Sequence, residues 1–93
     1  MRIYISGAMA SCKDTYKEIF DREQKRLEDK GHIVINPAML PEGLDHDKYM
    51  PICLAMIEGA DAIYMFNNWQ DSTGALLEMA YATYQGKTII YGD

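Results

Sequence analysis

Residues 62–82 read AIYMFNNWQDSTGALLEMAYA, an apolar run followed by a helical pattern. The first five residues are apolar throughout, which is typical of a strand buried on both faces. The helical spacing begins near Ser72 and continues to Gln85. This helix carries one carboxylate, Glu78, whose neighbours one turn away are small: Gly74, Ala75 and Ala82. Small neighbours leave room for a ligand, so Glu78 is the first candidate for a residue that performs chemistry.

The rest of the chain continues this alternation of strands and helices. The pattern predicts strands at 2–6, 32–35, 61–66 and 87–91, and helices at about 13–30, from Asp45 or Asp47 to Gly59, and at 72–85. Ser11 and Asp14 are predicted to form a capping box at the start of the first helix. Pro51 is predicted to lie in the first turn of the second helix, where its missing N–H costs little.

This alternation predicts one α/β domain over residues 1–93, a small flavodoxin-like or Rossmann-like three-layer fold. Right-handed crossovers predict a four-stranded parallel sheet in the order 2-1-3-4. The order reverses between the first and third strands, and ligands of such sheets bind at the carboxyl ends of the strands there. The loops at 6–9 and 67–74 are therefore expected to flank one crevice.

Composition narrows the class of protein. A net charge of −5 argues against binding of a nucleic-acid polymer, and 48% hydrophobic residues exclude a disordered chain. Neither a signal peptide nor a membrane span is recognisable, so we expect a cytoplasmic protein in which Cys12 and Cys53 are free thiols. We expect no metal, although Asp45, His46 and Asp47 leave one weak alternative because three adjacent residues rarely converge on an ion.

Each candidate also has a purely structural interpretation. Gly7 is equally suited to ending a strand, and Asp71 and Ser72 are good helix caps. A lone helical Glu is usually solvated, and Trp69 could pack on the next loop. The two interpretations overlap at the third helix, because the free N–H groups at a helix start also attract phosphate.

Three segments together carry a resemblance to a known family. They are YISGAM at 4–9, NPA at 36–38, and DAIY at 61–64 leading into WQDSTGALLE at 69–78. The chain resembles the nucleoside 2-deoxyribosyltransferase superfamily over nearly its whole length, most closely a short branch of unknown function found in bacteria and phages. The run W-x-x-S-x-G-A-x-x-E is the more specific part of the resemblance.

The resemblance implies a chemistry for these positions. Glu78 would attack C1′ of a deoxynucleoside or its 5′-monophosphate and expel the base, leaving a glycosyl-enzyme for another base or water. Ser72, Gly7 and the helix start would hold the sugar-phosphate end, and Tyr4 or Trp69 would lie near the base or sugar. Met9, Asp71 and Gly74 complete the predicted binding residues, and no cofactor is implied. Serine six residues before Glu78 favours a monophosphate over a nucleoside.

The chain departs from that family at the second helix. Many relatives carry an Asp there that helps to protonate the leaving base, and this chain has Cys53. A second hypothesis is therefore a non-catalytic nucleotide-binding module, a sensor or a sequestering protein. We also expect a homodimer or higher homo-oligomer, because a four-stranded domain has a thin core and this chain has seven Tyr and seven Met for contacts.

Overall fold

The structure is a computed structural model that describes residues 1–9 and 15–92, apart from the side chain of His46. In chain order its elements are β1 (Arg2–Ser6), α1 (Tyr16–Glu28), β2 (Ile33–Ile35), a 3-10 turn (Pro37–Met39), α2 (His46–Glu58), β3 (Ala62–Met65), a second 3-10 turn (Trp69–Asp71), α3 (Thr73–Tyr84) and β4 (Thr88–Tyr91). The predicted alternation is confirmed. The predicted start of the first helix near Lys13 and its capping box, Ser11 with Asp14, lie outside the described residues.

The four strands form one parallel sheet in the order β2-β1-β3-β4. This confirms the predicted topology, including the reversal between β1 and β3. The register pairs Ser6 with Met65, so both strands end at the same edge of the sheet. The loops that leave these two strands therefore start side by side.

Side chains of β1 and β3 alternate between two cores, as the twofold repeat of a strand requires. Ile3 and Ile5 pack with Phe20 and Leu27 of α1 on one face. On the other face, Tyr4 packs with residues of α2 and α3: Met50, Cys53, Ile57, Ala75 and Ala82. The molecule thus has three layers, with α1 on one side of the sheet and α2 and α3 on the other. The alternation also turns Ser6 to the same face as Tyr4.

The prediction for Pro51 was wrong. Pro51 is the sixth residue of α2 and lies inside the helix, not in its first turn. A proline there removes the hydrogen bond to the carbonyl of Asp47. Both residues are exposed, so water can reach that carbonyl and the helix tolerates the loss.

Helix α3 presents an uncharged surface. Its one charged residue, Glu78, is buried, while Leu76, Leu77 and Tyr84 are 41%, 49% and 85% exposed. Apolar side chains grouped on one helix are typical of an interface. We therefore keep self-association as a proposal and assign it to this helix.

We predict that Leu77→Glu shifts the protein toward a monomer of 10.6 kDa in light scattering at tens of micromolar. The new carboxylate would lose its water when a second copy packs on α3, and that loss would disfavour the dimer. Met39→Glu, at a 76% exposed residue of the first 3-10 turn, is the matched control and should leave the mass unchanged. A parent protein that is already monomeric would contradict the proposal.

Within residues 1–9 and 15–92, no helix combines the length and the apolar character needed to cross a membrane.

Candidate functional site

A cleft of about 630 Å³ opens where β1 and β3 end. Its size is within the range of small-molecule sites, roughly 300–1,000 Å³. The end of β1, the start of α3 and one side of α2 form its walls, with the loop at 41–44 at the rim. This is the crevice that the sheet topology predicts.

Glu78 lies at the floor of this cleft. Its side chain is buried, with the residue 6% exposed, and the Ser6 hydroxyl donates a hydrogen bond of 2.8 Å to its Oε1. Helix α3 turns Glu78 toward the sheet beside Ala75 and Ala82, which are buried on the same side of the helix. None of the ion pairs between described residues includes Glu78.

Burial raises the pKa of Glu78 to about 6, and the hydrogen bond from Ser6 opposes that shift. Desolvation disfavours the charged form of a carboxyl group, whereas a donated hydrogen bond favours it. The carboxylate is therefore ionised at neutral pH and held there at a cost in stability. A buried carboxyl group with a shifted pKa in a cleft is a recurrent mark of a functional site.

Three further polar groups lie near this carboxylate: Tyr4 on β1, and Tyr49 and Cys53 on α2. The hydroxyl of Tyr4 is fully buried and has no hydrogen-bond partner among the described residues. Burial and the nearby charge of Glu78 raise the pKa of Tyr4 well above its usual value. Burial likewise raises the pKa of the Cys53 thiol to about 11, and Tyr49 and Glu78 lie within electrostatic range of it.

The start of α3 forms a second polar part of the cleft. The Ser72 hydroxyl caps the helix by accepting a hydrogen bond of 3.1 Å from the Ala75 N–H. Since the first N–H groups of a helix have no partner within it, those of Thr73 and Gly74 remain available. The positive end of the helix dipole adds to them, so this corner is suited to an anion.

Close contacts fix the two loops that border the cleft. Asn68 accepts a hydrogen bond of 3.1 Å from the Ala8 N–H and so joins the loop after β3 to the loop after β1. Gly7 lies against Phe66, where a Cβ on Gly7 would be 2.7 Å from Phe66 Cδ2. That distance is too short for any other residue unless the ring moves, so glycine is required by packing.

The structure brings most of the predicted site residues together. The cleft is lined by Glu78, Gly7, Met9, Asp71, Ser72 and Gly74. Tyr4 lies beneath the cleft and does not line it, because it is fully buried between the sheet and α2. Trp69 lies outside the cleft lining and packs on Tyr91, with ring centroids 6.0 Å apart.

Sequence reasoning missed two residues of the site. Ser6 was placed in a loop that flanks the crevice but was given no role there, although its position two residues after Tyr4 places it on the face of α3. Tyr49 lines the cleft from α2, four residues before Cys53 and therefore on the same side of the helix. That spacing was the available signal.

No three His, Cys, Asp or Glu side chains among the described residues gather in a way that could hold a metal ion. The alternative with Asp45, His46 and Asp47 depends on His46, whose side chain lies outside the description. It stays untested.

The fold and this cleft define a parallel α/β domain with a buried carboxylate and a helix start at its ligand edge. The family described as Domain of unknown function (DUF4406) matches residues 1–91, and the chain belongs to that family. A comparison with curated proteins found no match.

Solved structures with the same fold include three enzymes. The chain superposes on a 2-deoxyribosyltransferase from Leishmania mexicana with a TM-score of 0.77 at 19% identity, covering 97% of this chain and 62% of that one. For a CMP N-glycosidase from Clostridium botulinum the TM-score is 0.72 at 23% identity, and the match covers 98% of this chain and 70% of the glycosidase. For a 2-deoxyribosyltransferase from Bacillus psychrosaccharolyticus the TM-score is 0.75 at 20% identity, and the match covers 98% of this chain and 71% of that enzyme.

These matches confirm the resemblance of the fold to the deoxyribosyltransferases. The chain spans 62% of the length of the Leishmania enzyme, so the remaining 38% of that enzyme lies outside the match.

Proposed function

We propose that the protein cleaves or transfers the N-glycosidic bond of a nucleotide, with Glu78 as the nucleophile. The observation that carries this proposal is the buried carboxyl group of Glu78 at the cleft floor, oriented by a hydrogen bond of 2.8 Å from Ser6. A carboxylate held in one orientation can attack an oxocarbenium-like C1′ and divide one difficult step into two. The two solved 2-deoxyribosyltransferases and the CMP N-glycosidase act on bonds of this class, which supports the proposal by analogy of fold.

A 2′-deoxynucleoside 5′-monophosphate fits the cleft better than a free nucleoside. The start of α3 offers N–H groups and the Ser72 hydroxyl to the phosphate, while Glu78 lies one and a half turns further along the same helix. One helix would then hold both ends of the sugar-phosphate. Asp71, exposed beside Ser72, is the opposing charge at this corner.

The chemistry of α2 favours a second candidate function, a nucleotide-binding module without catalysis. Asp45 and Asp47, at the start of α2, carry carboxyl groups that could donate a proton in place of Cys53, but neither lines the cleft. Asp45 is the cap of α2, and the Asp47 side chain is 74% exposed. A binder needs no proton donor, so it would keep the cleft and lose turnover.

A panel of deoxynucleosides and their 5′-monophosphates distinguishes the two functions. Free base is measured by chromatography after incubation, and intact-mass spectrometry of the quenched protein detects a glycosyl adduct. We expect base release by the parent and none by Glu78→Gln. Binding by calorimetry without release would indicate the binding module, and neither binding nor release would overturn both.

A further inference from the structure

Cleavage of an N-glycosidic bond leaves an electron pair on the base, and that base needs a proton. The search for a proton donor rests on the proposed function, because a proton is required only if a base leaves. Cys53 occupies the expected place on α2, but it is fully buried and does not line the cleft.

One turn earlier on the same helix, Tyr49 does reach the cleft. The side chain is partly buried, and its hydroxyl donates a hydrogen bond of 2.9 Å to the thioether Sδ of Met9. A thioether is a weak acceptor, so a ring nitrogen or carbonyl oxygen of a base would replace it readily. Met9 also lines the cleft and was already a predicted substrate-binding residue.

The position of Tyr49 relative to Glu78 is suited to donating a proton to the leaving base. Tyr49 on α2 and Glu78 on α3 both line the cleft, and they lie within electrostatic range of each other. A nucleophile attacks C1′ on the face opposite to the departing base. The donor therefore has to come from a different wall than the nucleophile, and α2 is that wall.

We propose that the Tyr49 hydroxyl donates the proton to the departing base, and that Tyr49 is a catalytic residue of this site. As a Glu78 oxygen forms a bond to C1′, the C1′–N bond breaks and its electron pair goes to the base nitrogen. The base takes the Tyr49 proton, directly on a ring heteroatom, and Tyr49 becomes a phenolate. Water then attacks C1′, the bond to Glu78 breaks with its electron pair returning to the carboxylate, and the water proton restores Tyr49.

The surroundings of Tyr49 hold it in the protonated form. Burial contributes most, and the groups that face it from the other elements are acidic or neutral: Cys53 on its own helix, Glu78 on α3, Tyr16 on α1 and Tyr4 on β1. Together they raise the pKa of Tyr49 far above its usual value. The donor is therefore protonated at neutral pH.

This arrangement predicts an unusual pH profile. Base release should increase as Glu78 ionises near pH 6 and then stay level into the alkaline range, because the raised pKa of Tyr49 keeps its proton in place. A carboxylic acid as donor would instead give a bell-shaped profile, because base release would fall again once that acid lost its proton.

Tyr49→Phe tests the assignment, because it removes the hydroxyl and keeps the ring. On an unmodified nucleotide we expect a loss in kcat of about 10²–10⁴-fold, the usual contribution of general acid catalysis. The second substrate carries a base that leaves without a proton: 7-methylguanine for a protein that uses purines, or 5-nitrouracil for one that uses pyrimidines. On this substrate the variant should stay within a few-fold of the parent.

Tyr84→Phe, at an 85% exposed residue of α3, is the matched control and should not change either rate. Equal losses on both substrates would overturn the role of Tyr49 and leave the proposed function intact. A bell-shaped pH profile of base release in the parent would likewise overturn the role of Tyr49 and leave the proposed function intact. If the parent released no base from either substrate while Glu78→Gln behaved identically, both the proposed function and this inference would be overturned. Thermal unfolding of the variant excludes a loss caused by misfolding.

Discussion

Replacing Glu78 by glutamine is expected to abolish base release and at the same time make the folded protein more stable at neutral pH. Gln keeps the shape of the side chain and can still accept the hydrogen bond from Ser6 through its amide oxygen. It lacks the charge needed for nucleophilic attack, so kcat should fall by at least ~10³-fold. Few substitutions combine loss of activity with a gain in stability unless the residue is held for function.

The expected gain in stability follows from the raised pKa of Glu78, about 6 in the folded protein against 4.5 for an ordinary Glu. The folded state binds the proton more tightly than the unfolded chain does. The favourable contribution of the protonated carboxyl is therefore fully present below pH 4.5 and is lost as the pH rises through 6. Above that pH the charged form costs about 2 kcal/mol, since one pKa unit corresponds to about 1.4 kcal/mol.

Denaturant unfolding at pH 4 and at pH 7.5 measures this difference. The free energy of unfolding of Glu78→Gln should equal that of the parent at pH 4 and exceed it by about 1–2 kcal/mol at pH 7.5. Glu18→Gln, at an exposed residue in the first turn of α1, is the control for the loss of a carboxyl group that is not buried. Near-normal turnover in Glu78→Gln would end the assignment of the nucleophile, and a gain that is equal at both pH values would contradict the burial of its charge.

The sequence was sufficient to predict the fold because each strand and helix carries its own periodic signal. The apolar run at 62–66, the amphipathic face of α1 and the glycines after the helices all agree with one topology. Once the strands are parallel and the crossovers right-handed, the order and the position of the cleft follow. This is why Glu78 and Ser72 could be placed at one site before the structure was known.

Features that depend on the geometry between elements were harder to predict. Whether Trp69 reaches the cleft depends on the 3-10 turn that redirects the chain before α3, and the turn instead packs Trp69 on Tyr91. Ser6 and Tyr49 each look unremarkable within their own element. Local spacing indicates the face on which each of them lies, but their roles arise only when β1, α2 and α3 meet.

The second large effect is expected at the start of α3, where the charge of the residue at position 72 should decide between a nucleotide and a nucleoside. In the parent, a 5′-monophosphate should bind more tightly than the matching nucleoside. The Ser72 hydroxyl accepts the Ala75 N–H at 3.1 Å and still has its own hydrogen to donate to a phosphate oxygen. The N–H groups of Thr73 and Gly74 add two further donors.

Ser72→Asp separates the cap from the phosphate site. Aspartate caps a helix as well as serine does, so α3 should remain intact. Its charge, about 5 Å from a phosphate dianion in a water-like dielectric, should cost about 1.5–2 kcal/mol of monophosphate binding, or ~10–30-fold in Kd. Nucleoside binding should change little because no phosphate is present.

Ser72→Thr is the matched control, since it keeps both the hydroxyl and the cap and should bind both ligands like the parent. Ser72→Ala is less decisive on its own, because it removes the cap and a phosphate donor together, with an expected cost of roughly 1–2 kcal/mol in binding. Titration calorimetry with a monophosphate and its nucleoside on all four proteins completes the comparison. Equal affinities for the two ligands in the parent would mean that the exposed carboxylate of Asp71, and not the helix start, controls this corner of the cleft.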